Sequence, residues 1–139
     1  SEHTPLLSVC LDGIQGSGKT ALAAYLAVQS QFPFVKFISA DMLLGLADSS
    51  KASRISAIFQ DAYKSPLSMI ILDDLERLVE YVRLGPRFSN TVLQALLVLI
   101  KKVPPTEGRK LMVVATTSQR NAMEELGLMD VGVDVGGDV

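Results

Sequence analysis

The chain is short of several things, and each shortage closes off a class of protein. It has a single cysteine, Cys10, in 139 residues. An internal disulfide is therefore excluded, and the usage fits a reducing compartment. Cys10 lies in an apolar segment and is expected to be a small buried residue rather than a reactive thiol. No window holds the roughly 18 consecutive apolar residues that a membrane-spanning helix requires. The longest apolar stretch, residues 92–100, is broken by Gln94, so no membrane insertion is expected. Ser1-Glu2-His3-Thr4-Pro5 has neither the basic start nor the apolar centre of a signal peptide. His3 is expected to be a solvated terminal residue. A basic surplus is also missing: 13 Lys and Arg face 15 Asp and Glu, for a net charge of −2. That balance disfavours nucleic acid as the main partner. No repeat, low-complexity tract or linker divides the chain, so one domain is expected. A domain of this length buries about two-thirds or more of its unfolded surface, and 48% hydrophobic residues supply the core.

What is present is more specific. Gly13-Ile14-Gln15-Gly16-Ser17-Gly18-Lys19-Thr20 satisfies the pattern G-x-x-x-x-G-K-[ST] without a mismatch. Glycines at 13, 16 and 18 admit backbone conformations that side chains block. Successive N–H groups then form a nest for phosphate oxygens. Lys19 is expected to reach the β- and γ-phosphates, and the Thr20 hydroxyl to ligate Mg²⁺. A chance Gly/Ser-rich turn is the competing reading, and the flanks oppose it. An apolar run, residues 6–11, precedes the motif, and a strong helix-former, residues 21–28, follows it. Strand, glycine loop and helix is the arrangement that brings a helix N-terminus to an anion.

Strand-like and helix-like segments alternate, the pattern of an α/β domain with a mostly parallel sheet. Strands are expected over residues 7–11, 34–38, 67–72 and 111–115. The run at 67–72 is apolar apart from Ser68 and should be buried on both faces. Helices are expected over 19–29, from Asp48 or Ser49 (either a suitable N-cap) to Ser65-Pro66, over 90–102, and over 121–126. Ile55, Ile58, Phe59, Ala62 and Tyr63 follow one helical face. The helix at 90–102 is apolar almost all round and should pack on the sheet and on a neighbour, ending at Pro104-Pro105. Val131, Val133 and Val135 permit a fifth strand. The sequence after it offers little to pack, and truncation of a longer protein is expected.

A second half of the site lies about fifty residues beyond the glycine loop. Residues 69–72 are an apolar strand that runs into Asp73 and Asp74. A phosphate-bound Mg²⁺ needs an acid at a neighbouring strand end. Asp73 is expected to hold the metal, and Asp74 to orient the attacking water. The alternative is an Asp-Asp turn capping a helix through Glu76 and Leu78. At the end of the fourth strand, in Ala115-Thr116-Thr117-Ser118, Thr117 is the candidate to bond the γ-phosphate or the water; it is equally an ordinary strand residue. These strand ends would form the crevice where open α/β sheets bind ligands.

The glycine loop, residues 69–77, and especially Gly85-Pro86-Arg87-Phe88-Ser89-Asn90 with the apolar stretch 92–99 resemble an AAA+ ATPase. Within that superfamily the chain is most similar to the second ATPase domain of the N-ethylmaleimide-sensitive factor family. The resemblance runs over about residues 5–126. It implies a P-loop NTPase sheet of order 5-1-4-3-2 with helices on both faces, forming an AAA+ large subdomain over 1–139 without its helical lid. It implies ATP and Mg²⁺ as cofactors, held by Gly13, Ile14, Gln15, Gly16, Ser17, Gly18, Lys19, Thr20, Ala21 and Asp73. Thr20 and Asp73 would hold the metal, and Lys19, Asp74 and Thr117 (the sensor-1 position) would act in hydrolysis. It further implies a cytoplasmic homo-hexamer, peripheral to vesicle membranes, that takes apart SNARE complexes with a SNAP adaptor. In that family the second domain mainly binds ATP and holds the hexamer together.

The sequence departs from active AAA+ domains in ways that bear on function. Asp74 stands where Glu is usual, one methylene shorter, so tight binding with slow turnover is expected. The Arg-rich stretch after the fourth strand is reduced to Arg120, a weak candidate for an arginine finger. Arg87 suits a subunit interface or a surface ion pair. The stretch matching the substrate-gripping loop, Asp41-Met42-Leu43-Leu44-Gly45-Leu46, has no aromatic residue, which disfavours threading of substrate. Other readings are an ATPase or small-molecule kinase acting independently of SNAREs, or a nucleic-acid-remodelling module. The first lacks an Arg-bearing lid in this sequence, and the second lacks a basic stripe.

Overall fold

Two apolar runs set the centre of the molecule, whose computed structural model describes residues 4–85, 87–129 and 132–134. Strand β3, Leu67–Leu72, is buried at every position after the first. Strand β4, Lys110–Thr117, is buried throughout its second half. Continuous burial of this kind requires cover on both faces, as in a parallel sheet. Strands β1, Leu6–Asp12, β2, Phe34–Ile38, and β5, Gly132–Asp134, complete the sheet. The order is β2-β3-β4-β1-β5, and every pair is parallel. Read from the other edge this is the expected 5-1-4-3-2. β5 pairs only with Cys10, Leu11 and Asp12, and those three are the buried residues of β1.

Alternation along the strands sorts side chains between two cores. Ile70, Leu72, Val113 and Ala115 join the larger core, with Ile55, Phe59 and Leu96. Met69, Ile71 and Val114 join the smaller one, with Ala23 and Ala27. Helix α1, Lys19–Ser30, therefore covers one face. Helices α2, Asp48–Ala62, and α4, Asn90–Leu99, cover the other. All five residues of the anticipated α2 stripe, Ile55 to Tyr63, are buried. Burial of Ile55, Ile58 and Phe59 contributes about 1.5–3 kcal/mol each relative to exposure.

Two local expectations are corrected. The N-cap of α2 is Ala47, which makes no side-chain bond. Asp48 sits instead in the first turn, where the helix dipole favours a carboxylate, and accepts a 2.7 Å bond from Ser89 Oγ. Helix α4 starts from Ser89, whose Oγ accepts from the Val92 N–H, but ends at Leu99, short of the anticipated 102. Val103, preceding Pro104, is disfavoured in helical conformation, and the last turn unwinds before it. The helix weighed as an alternative after the acidic pair is present as the four-residue α3, Leu75–Leu78, and Val82 and Arg87 form an antiparallel bridge after it. A short 3-10 helix, Ala40–Leu43, and helix α5, Arg120–Glu125, complete the described elements.

Candidate functional site

The glycine loop joins β1 to α1 at the carboxyl edge of the sheet. Gly16 and Gly18 take φ of 83° and 93°, values an L side chain resists. Gly13 does not; its N–H is held by the Thr117 carbonyl at 3.2 Å. Helix α1 begins from Gly18 with no side-chain cap and no acidic residue in its first turn. The first N–H groups of a helix lack intrahelical partners, so this terminus keeps its positive dipole end for an anion. Lys19 is buried, and its Nζ donates to the carbonyls of Gly13 (2.9 Å) and Ile14 (3.0 Å). The Ser17 hydroxyl is buried without a partner. Gln15, Gly16, Gly18, Lys19, Thr20, Ala21 and Asp74 line a cavity of about 340 Å³.

The acidic half meets this loop. Thr20 Oγ1 donates to Asp73 Oδ1 at 2.9 Å. The same carboxylate oxygen accepts from Thr116 Oγ1 at 2.9 Å, and the Thr116 hydroxyl accepts from the Asp74 N–H at 2.8 Å. Asp74 is the N-cap residue of α3, in left-handed conformation with φ 54° and no side-chain capping bond. Its carbonyl starts the helix by accepting from Arg77 and Leu78 N–H groups. The helix weighed as an alternative thus exists, while the Asp74 side chain lines the loop cavity. Burial raises the Asp74 pKa, reinforced by the charges of Asp73 and Glu76, with Arg77 and Lys19 opposing.

Thr117 does not line that cavity. It is fully buried, and its hydroxyl donates to Glu76 Oε1 at 2.6 Å while accepting from the Gln119 N–H. The Glu76 carboxylate also accepts from Ser118 N (3.1 Å) and Ser118 Oγ (2.6 Å). Burial would raise the Glu76 pKa, but the bonds from Ser118 and Thr117 outweigh it and the net shift is downward. Sequence reasoning missed Thr116 and Glu76. The signal for Thr116 was strand alternation. Ile71 and Val114 share the α1 face, so residues two further on, Asp73 and Thr116, continue it.

Arg120 is engaged within its own chain, with Asp12 at 3.3 Å and Glu124 at 2.9 Å. Asp12 is a buried acid at the end of β1, where the loop begins. In the loop after β2, Leu43 is buried and Leu44 is 81% exposed. Among the described residues no cluster of three or more His, Cys, Asp or Glu side chains could hold a metal alone. A hydroxyl and one carboxylate oxygen, as here, are hard donors, the type that Mg²⁺ uses when phosphate and water oxygens supply the rest. No described helix is long and apolar enough to cross a membrane.

Several known proteins are similar to this chain in sequence. The chain is 51% identical over 130 residues to the vesicle-fusing ATPase of Arabidopsis thaliana, covering 94% of this chain and 17% of that protein. It is 52% identical over 130 residues to the vesicle-fusing ATPase of Dictyostelium discoideum, covering 94% and 18%. Against the vesicular-fusion protein sec18 of Schizosaccharomyces pombe the identity is 48% over 128 residues, covering 92% and 16%. The chain thus spans less than a fifth of the length of these relatives. The profile of the ATPase family associated with various cellular activities (AAA) matches residues 9–134. The chain therefore belongs to the AAA family of nucleotide-binding ATPases.

Proposed function

We propose that this chain is the large subdomain of an ATP-binding domain that promotes hexamer assembly in a larger vesicle-fusion ATPase. In this reading the backbone of Gly13 to Gly18, with Ala21 at the start of α1, cradles the phosphates. Lys19 leaves its two loop carbonyls for the β- and γ-phosphates. Thr20 and Asp73 hold Mg²⁺, which neutralises phosphate charge when bound. The observation that carries the reading is the 2.9 Å contact between Thr20 and Asp73, because it joins the glycine loop to the acidic strand end. The resemblance supports a cytoplasmic homo-hexamer, peripheral to vesicle membranes, that disassembles SNARE complexes with a SNAP adaptor.

Hydrolysis by this domain should be slow. Asp74 lines the cavity with a carboxylate one methylene shorter than Glu, so it reaches less far toward the water it would orient. A positioning error near 1 Å costs about 10²-fold in rate. Steady-state hydrolysis by the full-length protein, wild type and Asp74→Glu, tests this. The Glu variant should turn over faster; a brisk wild-type rate that Glu fails to raise would contradict slow turnover and favour a catalytically active ATPase.

A further inference from the structure

We infer that Glu76 is a positioning residue that keeps the γ-phosphate side of the loop cavity in shape by tying the Asp74 turn to the end of β4. The inference rests on the ATP reading of the site and adds a residue to it. Glu76 does not line the cavity, so any effect on ligand passes through its partners. Those partners are Thr117 and Ser118, through three hydrogen bonds of 2.6, 3.1 and 2.6 Å.

Three observations show why the turn needs a tie. Asp74 holds φ 54°, a conformation that persists only where its surroundings enforce it. The helix that follows has four residues, too few to be stable by its own hydrogen bonds. Its other charged tie, Arg77 to Asp41 at 3.2 Å, joins two exposed side chains, and exposed pairs hold little. Glu76 is two residues from Asp74 and partly shielded, and its bonds are charge-assisted.

The strand end that Glu76 grips is connected to both halves of the site. Thr117 offers its carbonyl to the N–H of Gly13, the first residue of the glycine loop. Thr116 bonds both Asp73 Oδ1 and the Asp74 N–H. Releasing Glu76 therefore leaves the Asp74 turn held to the strand end by the Thr116 bonds alone, while Lys19, Gly16 and Gly18 keep their places on α1 and the loop. The loss should fall on contacts at the acidic side, where the ATP reading puts the terminal phosphate, and spare those that would hold the first two phosphates.

Equilibrium binding of Mg·ATP and Mg·ADP to the full-length protein separates this role from a merely structural one. Glu76→Ala should weaken Mg·ATP by about tenfold, the order set by losing one charge-assisted tie, and Mg·ADP by less than about twofold. Glu76→Gln keeps a carbonyl acceptor for Ser118 and should recover most of the ATP affinity. Equal weakening of both nucleotides in a folded Glu76→Ala protein, or no weakening, would overturn the inference. Should Glu76→Ala not fold, Ser118→Ala decides. It should lower the ATP-to-ADP affinity ratio by about threefold, and an unchanged ratio would overturn the inference. A wild type that binds neither nucleotide would remove the ATP reading itself, and this inference with it.

Discussion

Two polar clusters sit side by side at the carboxyl edge of the sheet, and their hydrogen bonds go to different places. In the glycine loop, Lys19 rests on two backbone carbonyls, the Ser17 hydroxyl has no partner, and α1 starts uncapped. In the cluster around Glu76, the described donors and the carboxylate are bonded to one another. A buried polar group without a partner costs free energy, so the first cluster is arranged for something that binds there. The second is satisfied as it stands and acts on what it holds. Substitutions should therefore separate the two: binding without stability in the first, and stability with it in the second.

The largest expected effect lies in the first cluster. Lys19→Ala should lower Mg·ATP affinity by about 10²-fold or more, as expected for losing a charge-assisted phosphate contact. Its unfolding midpoint without nucleotide should stay close to wild type. Calorimetric titration and thermal melts read the two quantities separately. A large fall in the melt without nucleotide would mean that Lys19 also supports the fold, and the contrast would fail.

The acid limb of stability sharpens the contrast, because Asp74 and Glu76 shift in opposite directions. The Glu76 pKa lies below its ordinary value of 4.5. Its contribution is present above that value and is lost as pH falls through the lower folded pKa. Glu76→Ala should therefore flatten the acid limb in denaturant titrations and lower stability at neutral pH. The Asp74 pKa lies above its ordinary 3.8, so the folded state binds its proton more tightly. Stability from Asp74 is present below 3.8 and is lost as pH rises through the higher folded value. Asp74→Asn should accordingly raise neutral-pH stability without nucleotide by a small margin that vanishes in acid. A drop in neutral-pH stability for that variant would contradict the assignment.

Much of this was legible in the sequence, for reasons that particular residues show. β2 and β3 have the anticipated bounds, since a mostly apolar run between Pro33 or Pro66 and a polar end leaves little freedom. The glycine loop was legible because phosphate binding constrains spacing as well as composition. What escaped is short or tertiary. Leu75–Leu78 is a single turn, too brief to show a period, and Asp74 starts it from a strained backbone rather than a side-chain cap. Asp48 looked like a cap because cap and first-turn positions both favour Asp; the partner that decided its place, Ser89, lies 41 residues away. Thr117 and Thr116 are adjacent and chemically alike. Only the face of β4 that each occupies, set by packing against α1, tells them apart.

The central claim is that the glycine loop grips ATP to hold subunits together. Light-scattering mass of the full-length protein, with and without Mg·ATP, tests it most directly. Wild type should reach a hexameric mass in Mg·ATP, and Lys19→Ala should stay smaller under the same conditions. A mass that ignores nucleotide, or a Lys19→Ala protein that assembles as wild type does, would contradict the account.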